Sequence, residues 1–295
     1  MRSLNGLRWF AITTICLAAA GLVACLLTNA DADEKIYKLE YKLKKGTAFG
    51  MKTTIERKSV REMMGNEIKS TTMDIVVYDA KVTEAKGGTA TIEVTYEDRS
   101  HETDDPQVQL DVDFSSLLGK TVQFSVTSLG ELSEFAGFDA LPELAISGGQ
   151  THGESQYINE LKEFFIRLSE DKIAVGETWS YTEEFNEPVE GGGAKVVVDY
   201  TYTLAEVAEK NGHDCLKLTG ESTTKVTGKG VEQGMEYTIT LGGKGSETAW
   251  FAYKRGMLLE TETVSFLEGA VVAEDVGFEM PMRNDYTSKR TFALK

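Results

Sequence analysis

The sequence predicts a mainly β fold, with curved antiparallel sheets that are half-barrel-like, two similar halves and one central amphipathic helix. Three observations lead to this prediction. Apolar and polar residues alternate along most of the chain, one segment has helical spacing instead, and short motifs recur on both sides of that segment. The expected organisation is a signal peptide over 1–32, an N-terminal antiparallel β half over 33–152, the helix over 153–169 and a C-terminal antiparallel β half over 170–295.

The N-terminus has the three parts of an export signal: a basic start, a mainly apolar stretch and small residues before a cleavage site. Two cleavage sites compete. Residues 22–25, LVAC, resemble a bacterial lipobox, in which Cys25 would carry lipid, whereas residues 30–32, ADA, form an A-x-A site that would release a chain starting at Asp33. Apolar residues 26–27 continue past Cys25, which favours cleavage after position 32. The mature protein is expected in the periplasm or outside the cell, or alternatively anchored to a membrane as a lipoprotein.

Composition limits the partners and the source of stability. Loss of residues 1–32 removes Arg2, Arg8 and Asp31 and leaves 29 basic and 46 acidic residues, a net charge of −17. Such a surface repels phosphates and anionic lipid heads, so we expect no nucleic-acid partner and no membrane contact except through the signal or an acylated cysteine. Cys215 is the single cysteine beyond the signal, so an apolar core must provide the stability.

Alternation with a period of two predicts strands that have one apolar face and one solvated face, as in antiparallel sheets. The alternating stretches are 37–43, 90–97, 108–114, 196–204, 237–241 and 276–282. Turn residues separate the predicted strands. Lys86-Gly87-Gly88 and Asn211-Gly212 are typical of tight hairpins, because both central positions of such turns favour a positive φ.

Residues 154–171, ESQYINELKEFFIRLSED, break this pattern. Their apolar residues fall at i, i+1, i+4, i+7, i+8 and i+11 from Tyr157, which places them on one helical stripe. The spacing predicts a helix over 153–169 that lies against a concave sheet, with Phe164 and Phe165 in its apolar stripe.

Short motifs on the two sides of this helix resemble each other and predict an internal duplication. Residues 46–51 resemble 176–181, residues 82–88 resemble 207–212, and residues 124–134 resemble 250–260, at offsets of 130, about 124 and 126 residues. Hairpins with similar turn chemistry would give the same pattern without a duplication.

Several of these stretches also resemble a known family. Residues 168–179 with their V-G-x-x-W turn, residues 202–212 and the hairpin at 250–258 are similar to a bacterial family of unknown function, whose members are exported proteins or lipoproteins. The preceding residues 119–132 also resemble that family. More distantly, the F-x-Y-x-x-G-x-L hairpin resembles those of half-barrel carriers of lipids and lipoproteins in the bacterial envelope. That resemblance implies an apolar groove.

We find no constellation that predicts catalysis, a metal site or a cofactor. His213-Asp214-Cys215 brings three ligand types together, but adjacent strand residues point to opposite faces. Residues 118–121, LGKT, lack the earlier glycine and the following helix of a phosphate loop. Asp111 and Asp113 lie on one predicted strand face, but the spacing of a calcium loop is missing, and a solvated face explains them better.

Two functional hypotheses follow for this expected non-enzymatic protein. In the first, an apolar small molecule or lipid binds between sheet and helix, lined by the aromatic residues Phe164, Phe165, Trp179, Trp250 and Tyr253. In the second, the protein is a structural or protein-interaction module with a closed core and no ligand.

Overall fold

The computed structural model describes residues 35–63, 65–105, 112–145, 151–189, 191–232, 234–273, 275 and 277–295. Cys25 and both cleavage sites lie outside the described residues, as do positions 108–111 of a predicted strand and Val276. No helix among the described residues combines the length and the apolar character needed to cross a membrane.

Thirteen strands, one α-helix and one 3-10 turn are described. Their bounds are β1 Ala48–Met63, β2 Asn66–Lys86, β3 Thr89–Thr103, β4 Thr121–Thr127, β5 Leu132–Ala136, the 3-10 turn Phe138–Ala140, β6 Leu144–Ala145, β7 Thr151–His152, α1 Glu154–Lys162, β8 Thr178–Val189, β9 Gly192–Lys210, β10 His213–Glu232, β11 Met235–Ala252, β12 Met257–Ala273 and β13 Phe278–Leu294.

Eleven strands form one curved, half-barrel-like antiparallel sheet in the order β5-β4-β3-β2-β1-β13-β12-β11-β10-β9-β8. The predicted fold class is therefore confirmed, and the two halves share one sheet. β1 pairs with β13 where the halves meet, from Phe49 opposite Leu294 to Arg61 opposite Met282. The two short strands β6 and β7 pair separately.

Both predicted hairpins form, and their turn residues have the expected backbone. Gly87 and Gly88 have φ values of 61° and 84°, and Asn211 and Gly212 have φ values of 52° and 74°. Positive φ at both central positions matches the twist of the flanking strands, which explains why glycine and asparagine occur there.

The main core lies on one face of the sheet, which we call the inner face. Its largest fully buried side chains are Tyr78, Tyr96, Tyr157, Tyr202, Phe49, Phe124, Phe164, Phe251, Leu39, Met51, Ile92 and Leu117. Two residues that lie directly opposite each other on neighbouring strands have side chains on the same face of the sheet. The strand register therefore assigns every other strand residue to the inner or the outer face.

The stretch 37–43 alternates as predicted, but it is not a strand of the sheet. Tyr37 pairs with Ile173 in an isolated bridge, while the backbone NH of Tyr41 donates to the carbonyl of Ser128. The extended segment contacts Ile173, Ser128 and Gly256 in turn, so it does not pair along its length with any one strand. The period-two pattern persists because the alternate side chains Tyr37, Leu39 and Tyr41 still enter the core.

Two other predicted elements differ from the structure. The described residues 112–114 are not a strand and lead into a turn. The helix ends at Lys162, well before the predicted residue 169, although Phe164, Phe165 and Leu168 remain buried. Beyond the helix the backbone has partners in other elements, because the carbonyl of Ile166 accepts from the Tyr41 hydroxyl and the amide of Leu168 donates to the carbonyl of Leu129.

Candidate functional site

Two ion pairs fasten α1 to the inner face of the sheet. Arg99 of β3 donates hydrogen bonds of 2.7 and 3.0 Å to the two oxygens of Glu160. Arg290 of β13 pairs with Glu163, the residue that ends the helix. The bidentate geometry at Arg99 orients the helix as well as holding it. The short helix is thereby attached to a strand of the N-terminal half and to the centre of the sheet.

The pKa of Glu160 is set by opposing effects. Burial raises the pKa of Glu160. The charge of Arg99 and the contact with His152, whose Nε2 lies 3.2 Å away, outweigh that effect and lower the pKa to about 2. A carboxyl group with so low a pKa remains ionised at neutral pH and is a poor general acid. This cluster is therefore better suited to holding the helix than to proton transfer.

The space between sheet and helix is filled with aromatic side chains. Phe164 makes edge-to-face contacts with Tyr78 and Phe292, with ring centroids 5.3 and 6.1 Å apart, and Phe165 does so with Tyr41 at 5.1 Å. Phe164 and Phe165 are almost fully buried. Both residues predicted to line a ligand site here are packed members of the main core.

Two further residues predicted for the site, Trp179 and Tyr253, are partly buried at the margin of the main core. The Trp179 indole donates to the carbonyl of Arg167 at 2.9 Å and its ring stacks on Tyr202. Tyr253 makes an edge contact with Tyr37. A hydrogen bond and stacking thus hold the Trp179 ring, and an edge contact packs the Tyr253 ring.

Trp250 does not lie with the other four predicted residues. It packs with Cys215 and Leu259 in a small separate cluster. Its strand neighbours on both sides are buried in the main core, so its side chain belongs to the outer face. The amines of Lys210 and Lys217 lie 5.0 and 5.6 Å from its ring centroid.

A ladder of stacked aromatic rings covers the inner face of β8 and β9. Ring centroids are 5.0 to 6.2 Å apart and interplanar angles are 7° to 28° among Trp179, Tyr181, Tyr200 and Tyr202. Glu183 follows on the same face of β8, and burial raises its pKa. Glu247 accepts hydrogen bonds from Tyr202 at 2.8 Å and from Thr263 at 2.9 Å. The ladder separates the main core from a second apolar cluster.

That second cluster lies on the inner face, farther along strands β8 to β12. Its buried members are Ala194, Val196, Val198 and Val226. Partly buried apolar residues surround them, and we name these the distal patch: Phe185, Val189, Ile239, Leu241 and Leu267. Of the residues in the two clusters, Tyr200 alone packs against both. The distal patch is therefore an apolar surface separate from the main core, and α1 reaches its β8 edge, where Asn159 donates to Glu187 at 2.6 Å.

Two clefts of the described structure lie elsewhere. One, of about 260 Å³, is lined by residues 41–44, 85–90 and 126–128 at the Gly87-Gly88 turn. The other, of about 340 Å³, is lined mainly by threonine, serine and glutamate side chains of β9, β10 and β11. Neither combines an apolar wall with convergent polar groups, the arrangement typical of a small-molecule site.

Within the described residues, no three His, Cys, Asp or Glu side chains are grouped to hold a metal ion. His101 is 2.6 Å from Asp74 on the inner face, which is a pair and not a ligand set. Cys215 is buried, and burial raises its pKa, which disfavours the reactive thiolate.

The polar residues that hold the helix have no distinctive signal in the sequence. Arg99 is one of several charged residues in a strand, and Glu160 is on the polar side of the predicted helix. Simple alternation along β3 would place Arg99 on the outer face, because Tyr96 is on the inner face. A β-bulge opposite Tyr78 shifts the register and turns Arg99 inward. No local signal in the sequence reveals that bulge.

These features define a class of protein: an open, curved antiparallel β-sheet with a short helix held on its inner face. The chain belongs to DUF6263, a family of unknown function whose model matches residues 69–258. This agrees with the predicted membership of a family of unknown function. No curated protein matches the chain.

Several solved structures share a low degree of similarity with the chain. OccK2 (OpdF) of Pseudomonas aeruginosa is 7% identical, with a TM-score of 0.24, over 84% of this chain and 98% of that one. OccK5 (OpdH) of the same organism is 6% identical, with a TM-score of 0.26, over 86% and 99%. A BenF-like porin from Pseudomonas fluorescens Pf-5 is 7% identical, with a TM-score of 0.21, over 84% and 99%. At such TM-scores these likenesses carry no argument about this chain.

Proposed function

We propose that the chain is an exported, non-enzymatic protein of the cell envelope that binds an apolar ligand on the distal patch. The export part of this proposal rests on the N-terminal signal features. The binding part rests on one observation: an apolar cluster with partly exposed members on the inner face of a curved sheet. The proposed site differs from the predicted one, since aromatic rings occupy the space between sheet and helix.

Two features of the distal patch suit an apolar ligand. Its five apolar side chains belong to three strands, β8, β11 and β12, and lie on one face. Gly243 of β11 lies opposite Leu267 of β12, and a Cβ at Gly243 would come within 2.9 Å of Leu267 Cδ2, so the leucine side chain lies over the glycine and extends the apolar surface between the two strands. Contiguous exposed apolar surface on a soluble protein is commonly a binding surface.

A fluorescent lipophilic probe, N-phenyl-1-naphthylamine, tests the proposal. Leu267→Ser removes an apolar side chain from the distal patch, and Val264→Ser is its matched control, because Val264 is on the outer face of the same strand and 58% exposed. We expect Leu267→Ser to weaken probe binding by about fivefold to tenfold, the loss expected when one apolar contact is removed. Val264→Ser should bind the probe as the unsubstituted protein does. Equal binding by all three proteins would contradict the proposal.

A second function is favoured by the packed aromatic core. A closed interior is what a structural or protein-interaction module requires, since such a module needs a rigid scaffold and no internal cavity. Under this alternative the unsubstituted protein would bind no lipophilic probe. Native mass spectrometry after mild isolation would then show the protein mass alone, without a retained apolar molecule.

A further inference from the structure

Three buried hydroxyl groups surround Arg290 on the inner face. Thr53 of β1 and Thr261 of β12 are the direct neighbours of Arg290 on the two flanking strands. Ser288 precedes Arg290 by two residues on the same strand and therefore shares its face. The register thus places three hydroxyl-bearing side chains next to Arg290 on one face of the sheet.

These hydroxyl groups are buried and lack hydrogen-bond partners. Thr53, Thr261 and Ser288 are each more than nine-tenths buried, and their oxygens have no partner in the described structure. A buried hydroxyl without a partner destabilises a fold, so three of them beside one arginine are a costly arrangement. Such a set of donors fits the oxygens of an anionic group.

Glu163 shows which kind of anion the arrangement accepts. Its carboxylate pairs with Arg290 and is the partner that α1 supplies. The Glu163 side chain is 57% exposed, whereas that of Arg290 is 7% exposed, so the pair lies where the end of the helix meets solvent. Since the three hydroxyls have no partner, the Glu163 carboxylate uses the guanidinium but not the donors beside it.

We propose that Arg290, Thr53, Thr261 and Ser288 form a binding site for a carboxylate group, in which Glu163 is an internal competitor. A ligand carboxylate would replace that of Glu163 on the guanidinium and accept hydrogen bonds from the hydroxyls. The ligand carboxylate would bind more tightly than the Glu163 carboxylate because it adds those hydrogen bonds. The site adjoins the main core, next to Phe292, and not the distal patch. This inference therefore does not rest on the proposed function of the distal patch.

Acetate is the first probe, titrated into the purified protein and followed by isothermal titration calorimetry. Glu163→Gln removes the competitor, and we expect acetate to bind this variant about tenfold more tightly than the unsubstituted protein. The triple variant Thr53→Val, Thr261→Val, Ser288→Ala keeps Arg290 and should bind about fivefold more weakly. Arg290→Met should abolish binding. Circular dichroism spectra identify any variant that fails to fold.

Decanoate distinguishes the two sources of a carboxylate. Tighter binding of decanoate than of acetate indicates that the natural ligand is an amphiphile, and equal binding indicates a small free carboxylate. Either result supports the site if the Arg290→Met substitution abolishes the binding. The proposal is overturned if Glu163→Gln binds no acetate, if Arg290→Met still binds it, or if the triple variant binds it as tightly as the unsubstituted protein. A site occupied by ordered water alone would give the first of these results.

Discussion

Replacing Glu160 by glutamine tests how the helix is held. The Arg99 and Glu160 side chains are 7% and 24% exposed, so the pair is largely screened from solvent. The pKa of Glu160 is lowered from its ordinary value of 4.5 to about 2, which corresponds to roughly 3 kcal/mol of stability at neutral pH. Glutamine also leaves the buried Arg99 charge without its partner, and breaking such a pair costs about 3–5 kcal/mol.

Equilibrium unfolding in urea at neutral pH measures this loss. We expect Glu160→Gln to lower the free energy of unfolding by about 3–5 kcal/mol. Asp79→Asn is the matched control, because its ion pair with Lys295 is about half exposed on both sides and should contribute no more than about 1 kcal/mol. Adding Arg99→Met to the Glu160→Gln variant should restore part of the loss, since it removes the unpaired charge.

The pH dependence gives an independent check of the same reasoning. A carboxyl group whose pKa is lowered by folding stabilises the protein above its ordinary pKa, and this contribution disappears as the pH falls through the folded value. The unsubstituted protein should therefore lose stability relative to Glu160→Gln as the pH falls from about 4.5 to about 2. A loss below about 1 kcal/mol at neutral pH, or a difference between the two proteins that is constant with pH, would refute the reasoning.

Three further predictions concern the turns, the outer face and the N-terminus. Gly130→Ala should destabilise the protein more than Gly46→Ala in thermal unfolding, because both have φ near 90° but only at Gly130 would a Cβ come within 2.4 Å of a carbonyl oxygen; equal losses would contradict this. Trp250→Ala should lower the melting temperature without changing probe binding, since Trp250 is remote from the distal patch; weaker binding by the folded variant would oppose this placement. Mass spectrometry of the mature protein should find a start at Asp33, whereas an acylated Cys25 would establish a lipoprotein.

Most of the strand content follows from the period-two pattern. The alternation at Ala90 to Tyr96 and at Val196 to Leu204 correctly separates buried from solvated faces. It cannot distinguish a paired strand from an extended segment, because both alternate. For this reason the pattern at 37–43 predicts a strand, although the segment lies outside the strands of the sheet.

The end of the helix and the placement of Trp250 depend on contacts distant in the sequence. Residues 163–169 have helical spacing, but their backbone forms hydrogen bonds with Tyr41, Leu129 and Trp179. The bulge next to Trp250 decides which aromatic residue faces inward, and Phe251 is the one in the main core. Local patterns contain neither kind of information.

The internal duplication stays a prediction. The matching glycines Gly46 and Gly176 both have positive φ and precede β1 and β8, and Gly130 and Gly256 both have positive φ after β4 and β11. Each strand from β1 to β5 thus has a counterpart in the order β8 to β12. Hairpins that arose separately would share these turn requirements, so the agreement supports a common origin without deciding it.

Native mass spectrometry of the protein and of Leu267→Ser, both isolated under mild conditions, tests the proposed binding of an apolar ligand most directly. The account predicts that the unsubstituted protein retains an apolar small molecule and that the variant loses most of it. Identical spectra for the two proteins, whether both are free of adducts or both carry the same one, would contradict a ligand site on the distal patch.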